Sequence, residues 1–420
     1  MLNPILIAVP IFLLSIVVEY YIGQKRNEQL YRWNDTLTNL HLGTGQMLCG
    51  LLVKAPLLAF YVSLWQYTQS WHIMKWDSHS PLHWLIGVLC MDCAYYFFHR
   101  YSHEFNFLWA AHVVHHQSEE YNLSVALRQS WLQQCYSGIF YLPMALLGIP
   151  IHMFFLLNAT NTLYQFWIHT RLCGKLGKWE WWLNTPSHHR VHHGVDDEYV
   201  DKNYAGMLII WDKMFGTFQV EQQEPRYGVI KPLRTWNTLW ANMDVWFLMW
   251  NRMKTHSLTW WEKFSLAFRA PAWTGKQEQL STRVMRTDPS YQLYDQNNPW
   301  LKYTVISGGL AVQSAIWWVI AQGGQHTATY LMPWIFIHLL SGISLAGVLE
   351  SKRWGLWVEG SRLIVLPLIA YLYPLYSSPH VSSTLGGGIS MEVMIYMIVS
   401  GISLSYIRYR MKTLNLFLRF

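Results

Sequence analysis

Long apolar stretches separated by short polar ones dominate the chain. Residues 4–23 (PILIAVPIFLLSIVVEYYIG) form one such stretch, and about 20 residues at a helical rise of ~1.5 Å cover a hydrocarbon core of roughly 30 Å. They predict a membrane-spanning helix rather than a cleaved leader, because no basic flank or small-residue cleavage site frames them. Further spans are predicted at about 42–64, 81–98, 302–321, 329–348, 362–376 and 388–407. The apolar run 132–166 is broken by Pro143, Gly148 and Pro150, which predicts a helical hairpin that enters and returns. The pattern as a whole predicts an all-α integral-membrane fold, a multi-span helical bundle.

Basic residues orient the bundle. Lys25, Arg26 and Arg32 follow the first span, Arg100 and Arg128 follow the third, and residues 171–302 hold 17 of the 31 Lys and Arg. Lys352, Arg353 and Arg362, then Arg408, Arg410 and Lys412, fall on the same side, whereas loops 322–328 and 377–387 carry none. Cytoplasmic loops are enriched in Lys and Arg, so this side is expected to be the cytoplasmic one. Composition agrees: 52% apolar and 13% charged residues, with 25 Trp and 25 Tyr, exclude a disordered chain. The absence of G-X-Y repeats excludes collagen. A net charge of +7 is what a positive-inside membrane protein gives, and no nucleic-acid partner is expected.

The stretch 171–300 is too rich in Trp for an ordinary soluble domain. Trp236, Trp240, Trp246, Trp250, Trp260, Trp261 and Trp273 alternate there with Arg234, Arg252, Lys254, Lys263 and Arg269. This suits amphipathic helices lying in the membrane interface; the alternative is the aromatic core of a cytosolic domain. The expected organisation is a catalytic membrane region at 1–300 and a four-span region at 301–420. Five cysteines at 49, 90, 93, 135 and 173 make no disulfide framework. Cys90 and Cys93 spell CxxC but, inside a span, read as small packing residues. Asn122 and Asn158 open formal glycosylation sequons, the first on the cytoplasmic side and the second at the membrane.

Histidine spacing carries the chemistry. His99 and His103 form HxxxH, His112, His115 and His116 form HxxHH, and His189, His192 and His193 form HxxHH again. Helix positions i, i+3 and i+4 share a face, so each group can aim several imidazoles at one place. His169 adds another, with Gln165 four residues before it, and His188 is either a further ligand or a neighbour. Neutral imidazole binds Fe, Zn, Cu and Ni. So many rings exceed one metal, and two metals with four or five ligands each is the natural count. The groups fall where predicted spans meet the cytoplasm, so a histidine-rich di-metal cap is expected there. Asp92, seven residues before His99, is an ionisable group inside a span and needs a partner; it is expected to hold a ligand histidine, or else to reach water at a helix end. Glu104 and Glu119 directly follow ligand groups and are candidates to orient ligands or bind substrate, or are simply solvated.

These motifs resemble the fatty acid hydroxylase/sterol desaturase superfamily of integral-membrane di-iron enzymes, which is marked by HxxxH, HxxHH and a second HxxHH. The segments DCAYYFFHRYSHEFNFLWAAHVVHHQSEEYNLSVALRQS (92–130), NTLYQFWIHT (161–170), NTPSHHRVHHG (184–194) and DKNYAGMLIIWDKMFGTF (201–218) carry the resemblance. Their wording is most similar to the superfamily's alkylglycerol monooxygenase branch. The resemblance implies that His99, His103, His112, His115, His116, His169, His189, His192 and His193 hold two Fe ions. It further implies O₂ as oxidant, a membrane lipid as substrate, and an external electron donor, tetrahydropterin or a redox protein. Ether-lipid oxidation beside the ether oxygen would release a fatty aldehyde. Glu104 matches a glutamate implicated in pterin dependence, which makes it a catalytic and cofactor-binding candidate beside Asp92. Two positions depart from the pattern: Gln165 stands where related hydroxylases have histidine, and Val195-Asp196 stands where Arg-Asn is expected.

The rival on the same scaffold is hydroxylation or desaturation of a sterol, sphingolipid, carotenoid or fatty acyl chain. A rival of another class is a non-oxidative metal-binding protein or a transporter. Transport would spread donors along several spans, whereas here they cluster at one depth and the tail offers only the isolated His326, His338 and His380.

Overall fold

The computed structural model describes residues 4–255, 258–273, 293–294 and 328–377, with a few positions between 398 and 409. Among the described residues the structure is helical, with two isolated bridges and no strand. Three helices among the described residues are long and apolar enough to cross a membrane, and they cover the predicted spans 4–23, 42–64 and 81–98. These are α1 (Pro4–Lys25), α2 (Trp33–Tyr67) and α3 (Pro81–Glu104). The predicted spans at 302–321 and most of 388–407 lie outside the described residues.

The chain forms two compact units, one of Met1–Asn39, Val53–Leu233 and Asn242–Leu293, the other of Leu40–Leu52, Arg234–Ala241 and Tyr294–Phe420. In the first, α3 starts with Pro81 at its first turn, where the missing amide costs no helical bond. Phe105 alone, extended at φ −108° and ψ 123°, separates α3 from α4 (Asn106–His116). That one-residue joint turns the HxxxH end of α3 against the first HxxHH. The run 132–166 differs from the expected hairpin. Its first limb is three short turns, Gln134–Ser137, Gly138–Tyr141 and Leu142–Leu146, and only its second is a continuous helix, α5 (Ile151–Trp167). Gly138 and Pro143 sit at the breaks, one poor at holding helix and the other unable to donate.

The bend between the limbs is fixed from outside. Tyr61 Oη, Trp65 Nε1 and Trp76 Nε1 donate to the carbonyls of Ile149, Gly148 and Leu147 at 2.9, 2.9 and 2.8 Å. Beneath it pack Tyr61, Met91, Met144, Ala145, Ile149, Met153 and Leu157, with Cys90 against their edge. In lipid, close packing rather than dehydration favours such contacts. Gly87 is a case: a Cβ there would lie 2.8 Å from Leu157 Cδ1. On α1, Ile7, Ile11, Leu14, Val18 and Tyr21 are 47–64% exposed, while Ala8, Ile16 and Glu19 on another face are buried. An exposed apolar stripe of this length suits lipid, not water.

The aromatic stretch after the second HxxHH has one face out. In α8, numbered after α6 (Pro186–His192) and α7 (Ile210–Phe215) and running Thr238–Thr255, Met243, Phe247 and Trp250 are exposed. Met249 packs instead with Ala110 and Leu266. The next helix, α9 (Trp260–Ser265), opens with a Thr259/Glu262 capping box and exposes Trp260 and Trp261. Lys254 and Lys263 lie over the Trp250 and Trp260 rings at 4.8 and 5.5 Å. Trp236, counted in the same interfacial pattern, is instead buried. Asn122 is fully buried and donates to Leu30 O at 2.8 Å, so its sequon is closed to a glycan in the folded chain.

In the second unit α10 (Ala328–Leu349) and α11 (Arg353–Ser377) contain the predicted spans 329–348 and 362–376. They meet at Gly347 and Gly355, where a Cβ on Gly355 would lie 2.3 Å from the Gly347 carbonyl carbon. Buried Arg362 pairs with Glu359, Nε to Oε2 at 2.7 Å, which offsets two charges in an apolar setting. His338 is not isolated as expected: it stacks on His41 at 3.8 Å.

Candidate metal centre

The nine histidines named from the sequence are all buried, and the structure gathers them into two groups. His99, His103, His112, His116 and His192 form one; His115, His169, His189 and His193 form the other. Within each group one donor atom per ring lies within 4.8 Å of every other. Each HxxHH is divided between them. His112 and His116 go to the five-ring group and His115 to the four-ring group, while His189 and His193 go to the four-ring group and His192 to the five-ring group. Helical geometry explains the division, since i and i+4 are separated by about 40° around the axis and i+3 falls on their other side.

The outer nitrogens show what the inner ones can do. Nδ1 of His99, His115, His169 and His192 meets the carbonyl oxygens of Tyr204, Arg128, Gln165 and Lys202 at 2.8, 3.0, 2.7 and 2.9 Å. His112 Nδ1 meets Gln133 Oε1 at 3.0 Å. These oxygens only accept, so each Nδ1 carries the proton and each Nε2 presents a bare lone pair. Yet bare edges face one another, His99 to His112 at 3.1 Å and His169 to His115 at 3.2 Å, with His116 Nε2 3.3 Å from His112 and His189 Nε2 3.1 Å from His169. Nε2 of His103, His192 and His193 has no hydrogen-bond partner among the described residues. A second proton is no remedy. Burial, then the neighbouring His103, pushes His112 down to about 3, and burial pushes His169 down to about 4. Burial also holds His115, His116, His189, His192 and His193 well below the usual imidazole range. Lone pairs converging without protons repel unless a cation sits among them, so the donor set fits two metal ions.

Aromatic rings close the surroundings. Trp109 lies 5.0 Å from His103, Tyr204 lies 5.2 Å from His103, and Tyr121 stacks near His169 at 5.7 Å with Tyr227 behind it at 4.9 Å. One neighbour is polar: the Asp201 carboxylate lies 3.5 Å from His103 Nδ1, and its side chain is 60% exposed.

The other sequence candidates take different places. Asp92 holds no histidine, contrary to expectation; its carboxylate accepts from Asn161 Nδ2, the Met207 and Leu208 amides, and Trp211 Nε1, at 2.7–2.9 Å. Those four donors stabilise a charge that the sequence left without a partner. Glu104 ends α3 and accepts from Arg100 Nε at 2.8 Å, one turn back. Glu119 lies 3.7 Å from Arg32. Gln165 turns its amide to Asn161 and meets His169 only through its carbonyl. His188 belongs to neither group and lies edge-on to Phe218 at 5.4 Å. Asp196 faces away from the rings, accepting from Arg226 through its amide at 2.8 Å and Nε at 2.7 Å. Gln133 and Asp201, which reach rings, and Asp212, which holds the Tyr204 and Ala205 amides, were not anticipated, because nothing in local spacing marks contacts made through tertiary folding.

The segment HHQSEEYNLSVALRQS proves to be a scaffold. Ser118 Oγ donates to Asp35 at 2.7 Å, Asn39 donates to Ser124 at 3.0 Å, and Arg128 donates to Asn39 at 2.9 Å and to Val114 O at 2.7 Å. The payoff is the Arg128 carbonyl, which is thereby held against His115.

Known proteins match this part of the chain. The fatty acid hydroxylase family model matches residues 84–217. An alkylglycerol monooxygenase of Xenopus tropicalis is 41% identical over 268 residues, 62% of this chain and 58% of that protein. One of Danio rerio is 42% identical over 281 residues, 65% and 60% of the two chains. An ornithine lipid hydroxylase of Rhizobium tropici is 26% identical over 199 residues, 46% and 59% of the two chains. The chain thus spans about three-fifths of the length of these curated relatives. No solved structure matches it. The matched stretch contains all nine buried histidines, so the part of the chain that holds the two groups is the part similar to the fatty acid hydroxylase family.

Proposed function

We propose that the chain is a membrane di-iron monooxygenase that cleaves the O-alkyl ether bond of alkylglycerols. The observation that carries the metal is the convergence of unprotonated Nε2 edges in two buried groups; the substrate is suggested by the alkylglycerol monooxygenases it matches. The nine histidines would hold the irons. When bound, the irons would supply activation of O₂ for attack on an unactivated C–H bond, which side chains alone do not achieve. One oxygen atom enters the alkyl carbon beside the ether oxygen, and the other leaves as water with two electrons and two protons from an external donor. The resulting hemiacetal collapses to a fatty aldehyde and a glycerol derivative.

The chain's own part is to bind, orient and keep dry. The carbonyl-fixed imidazoles hold the donor set without reorganisation, and Trp109, Tyr121 and Tyr204 exclude water from it. The alkyl tail would lie in the bilayer beside α3, with the headgroup on the cytoplasmic side, the side that the Lys- and Arg-rich loops favour. Glu104 and Asp201, at the polar edge, are the carboxylates positioned to meet an external tetrahydropterin or redox protein. The test is to incubate iron-loaded membranes with an alkylglycerol, O₂ and tetrahydropterin and to measure fatty aldehyde. Aldehyde that disappears in His115→Ala supports the reading. The ornithine lipid hydroxylase match favours a second reading, hydroxylation of another lipid; it predicts a hydroxylated lipid with no aldehyde.

A further inference from the structure

After the second HxxHH the chain runs through 202–208 without regular structure, yet its backbone groups end on buried partners. The Tyr204 and Ala205 amides donate to the Asp212 carboxylate at 2.8 and 2.9 Å, and Thr217 Oγ1 joins them at 2.6 Å. The Met207 and Leu208 amides donate to Asp92 at 2.7 and 2.9 Å. Between them Gly206 fits closely, since a Cβ there would lie 2.8 Å from Asp92 Oδ1. Two carbonyls of the same segment, Lys202 and Tyr204, are the acceptors for His192 and His99. A peptide pinned through its amides cannot rotate its carbonyls, and a fixed acceptor fixes both the tautomer and the plane of the ring it meets.

We propose that Asp212 is a positioning residue for His99, holding the Ala205 amide and so the Tyr204 carbonyl of the same peptide, to aim one donor of the five-ring group. The four-ring group is aimed from elsewhere, by the carbonyls of Arg128 and Gln165. The proposal rests on the metal-holding reading of the histidines.

The test uses the full chain purified in detergent and loaded with iron, read by iron content and Mössbauer spectroscopy rather than turnover. Asp212→Asn keeps the shape but turns a donor toward donors. It is expected to retain about one iron per chain where the native protein holds about two, with a roughly 10- to 100-fold loss of affinity at one site and an unchanged spectrum from the iron that stays. Two irons with the native spectrum, or equal loss of both, overturns the proposal. If Asp212→Asn does not fold, judged by helical circular dichroism, Thr217→Val decides by the same criteria, since it removes one donor that holds the Asp212 carboxylate and leaves the carboxylate in place. A native protein that binds no iron overturns the metal reading itself, an outcome distinct from a variant that fails to differ.

Discussion

The two histidine groups are built from the same motifs but are held differently. The four-ring group is sealed: its known outer partners are the backbone carbonyls of Arg128 and Gln165, and Tyr121 and Tyr227 stack behind it. The five-ring group has two rings aimed by side chains, His112 by Gln133 and His103 by the largely exposed Asp201. A backbone acceptor is fixed by the fold, whereas a side-chain acceptor adapts and communicates with solvent. The contrast gives the five-ring group a partner that reaches solvent, Asp201, which the carbonyl partners of the four-ring group do not match.

Neighbouring histidines give the sharpest way to break that comparison. His192→Ala and His193→Ala remove adjacent rings from different groups, so each should abolish aldehyde release while erasing a different Mössbauer component. Loss of the same component in both would dissolve the division. Gln133→Leu should come next, weakening metal at the five-ring group by roughly 10- to 100-fold. Asp201→Asn should do less there, because its contact is long and wet; iron titration of the two variants measures the order.

Acid should act on both groups alike. Unfolded imidazoles take a proton near pH 6.5, but in the folded chain His112 and His169 stay neutral down to about 3 and 4. Below pH ~6.5 the unfolded chain therefore binds more protons than the native one, and stability falls as pH drops toward ~4. Thermal unfolding of the metal-free protein between about pH 5 and 8 follows this; a flat profile would refute neutral, buried rings. The smallest effects on iron belong away from the rings. Asp196→Asn disturbs a buried carboxylate that accepts from the Arg226 amide and Nε and should cost ~1–3 kcal/mol, with both irons retained. Glu104→Gln should leave stability within ~1 kcal/mol and raise the KM for the reductant without emptying either group.

The histidines were readable in the sequence because helical spacing is local: HxxxH and HxxHH declare a shared face wherever they stand. The count of two groups was readable too. The assignment of rings was harder to see, since His115 and His116 are adjacent in the chain and opposed in space. The Asp92 partner was misjudged for a related reason. Seven residues of spacing pointed to His99, whereas the true donors, Asn161, Met207, Leu208 and Trp211, come from two later segments. The run 132–166 was read as a hairpin broken at Pro143, Gly148 and Pro150, but its first limb breaks at Gly138 as well and forms short turns. Apolar composition reports burial or lipid contact, not continuity of hydrogen bonding.

The Asp92 contacts also set an order of events during synthesis. Its donors are translated 69, 115, 116 and 119 residues after it. When α3 leaves the ribosome it carries an acid at mid-helix with no partner, a cost of about 2.5–3.5 kcal/mol at the centre of an inserting helix. That debt is discharged only when residue 211 has emerged. In the folded chain the same carboxylate is the anchor on which residues 207–211 close.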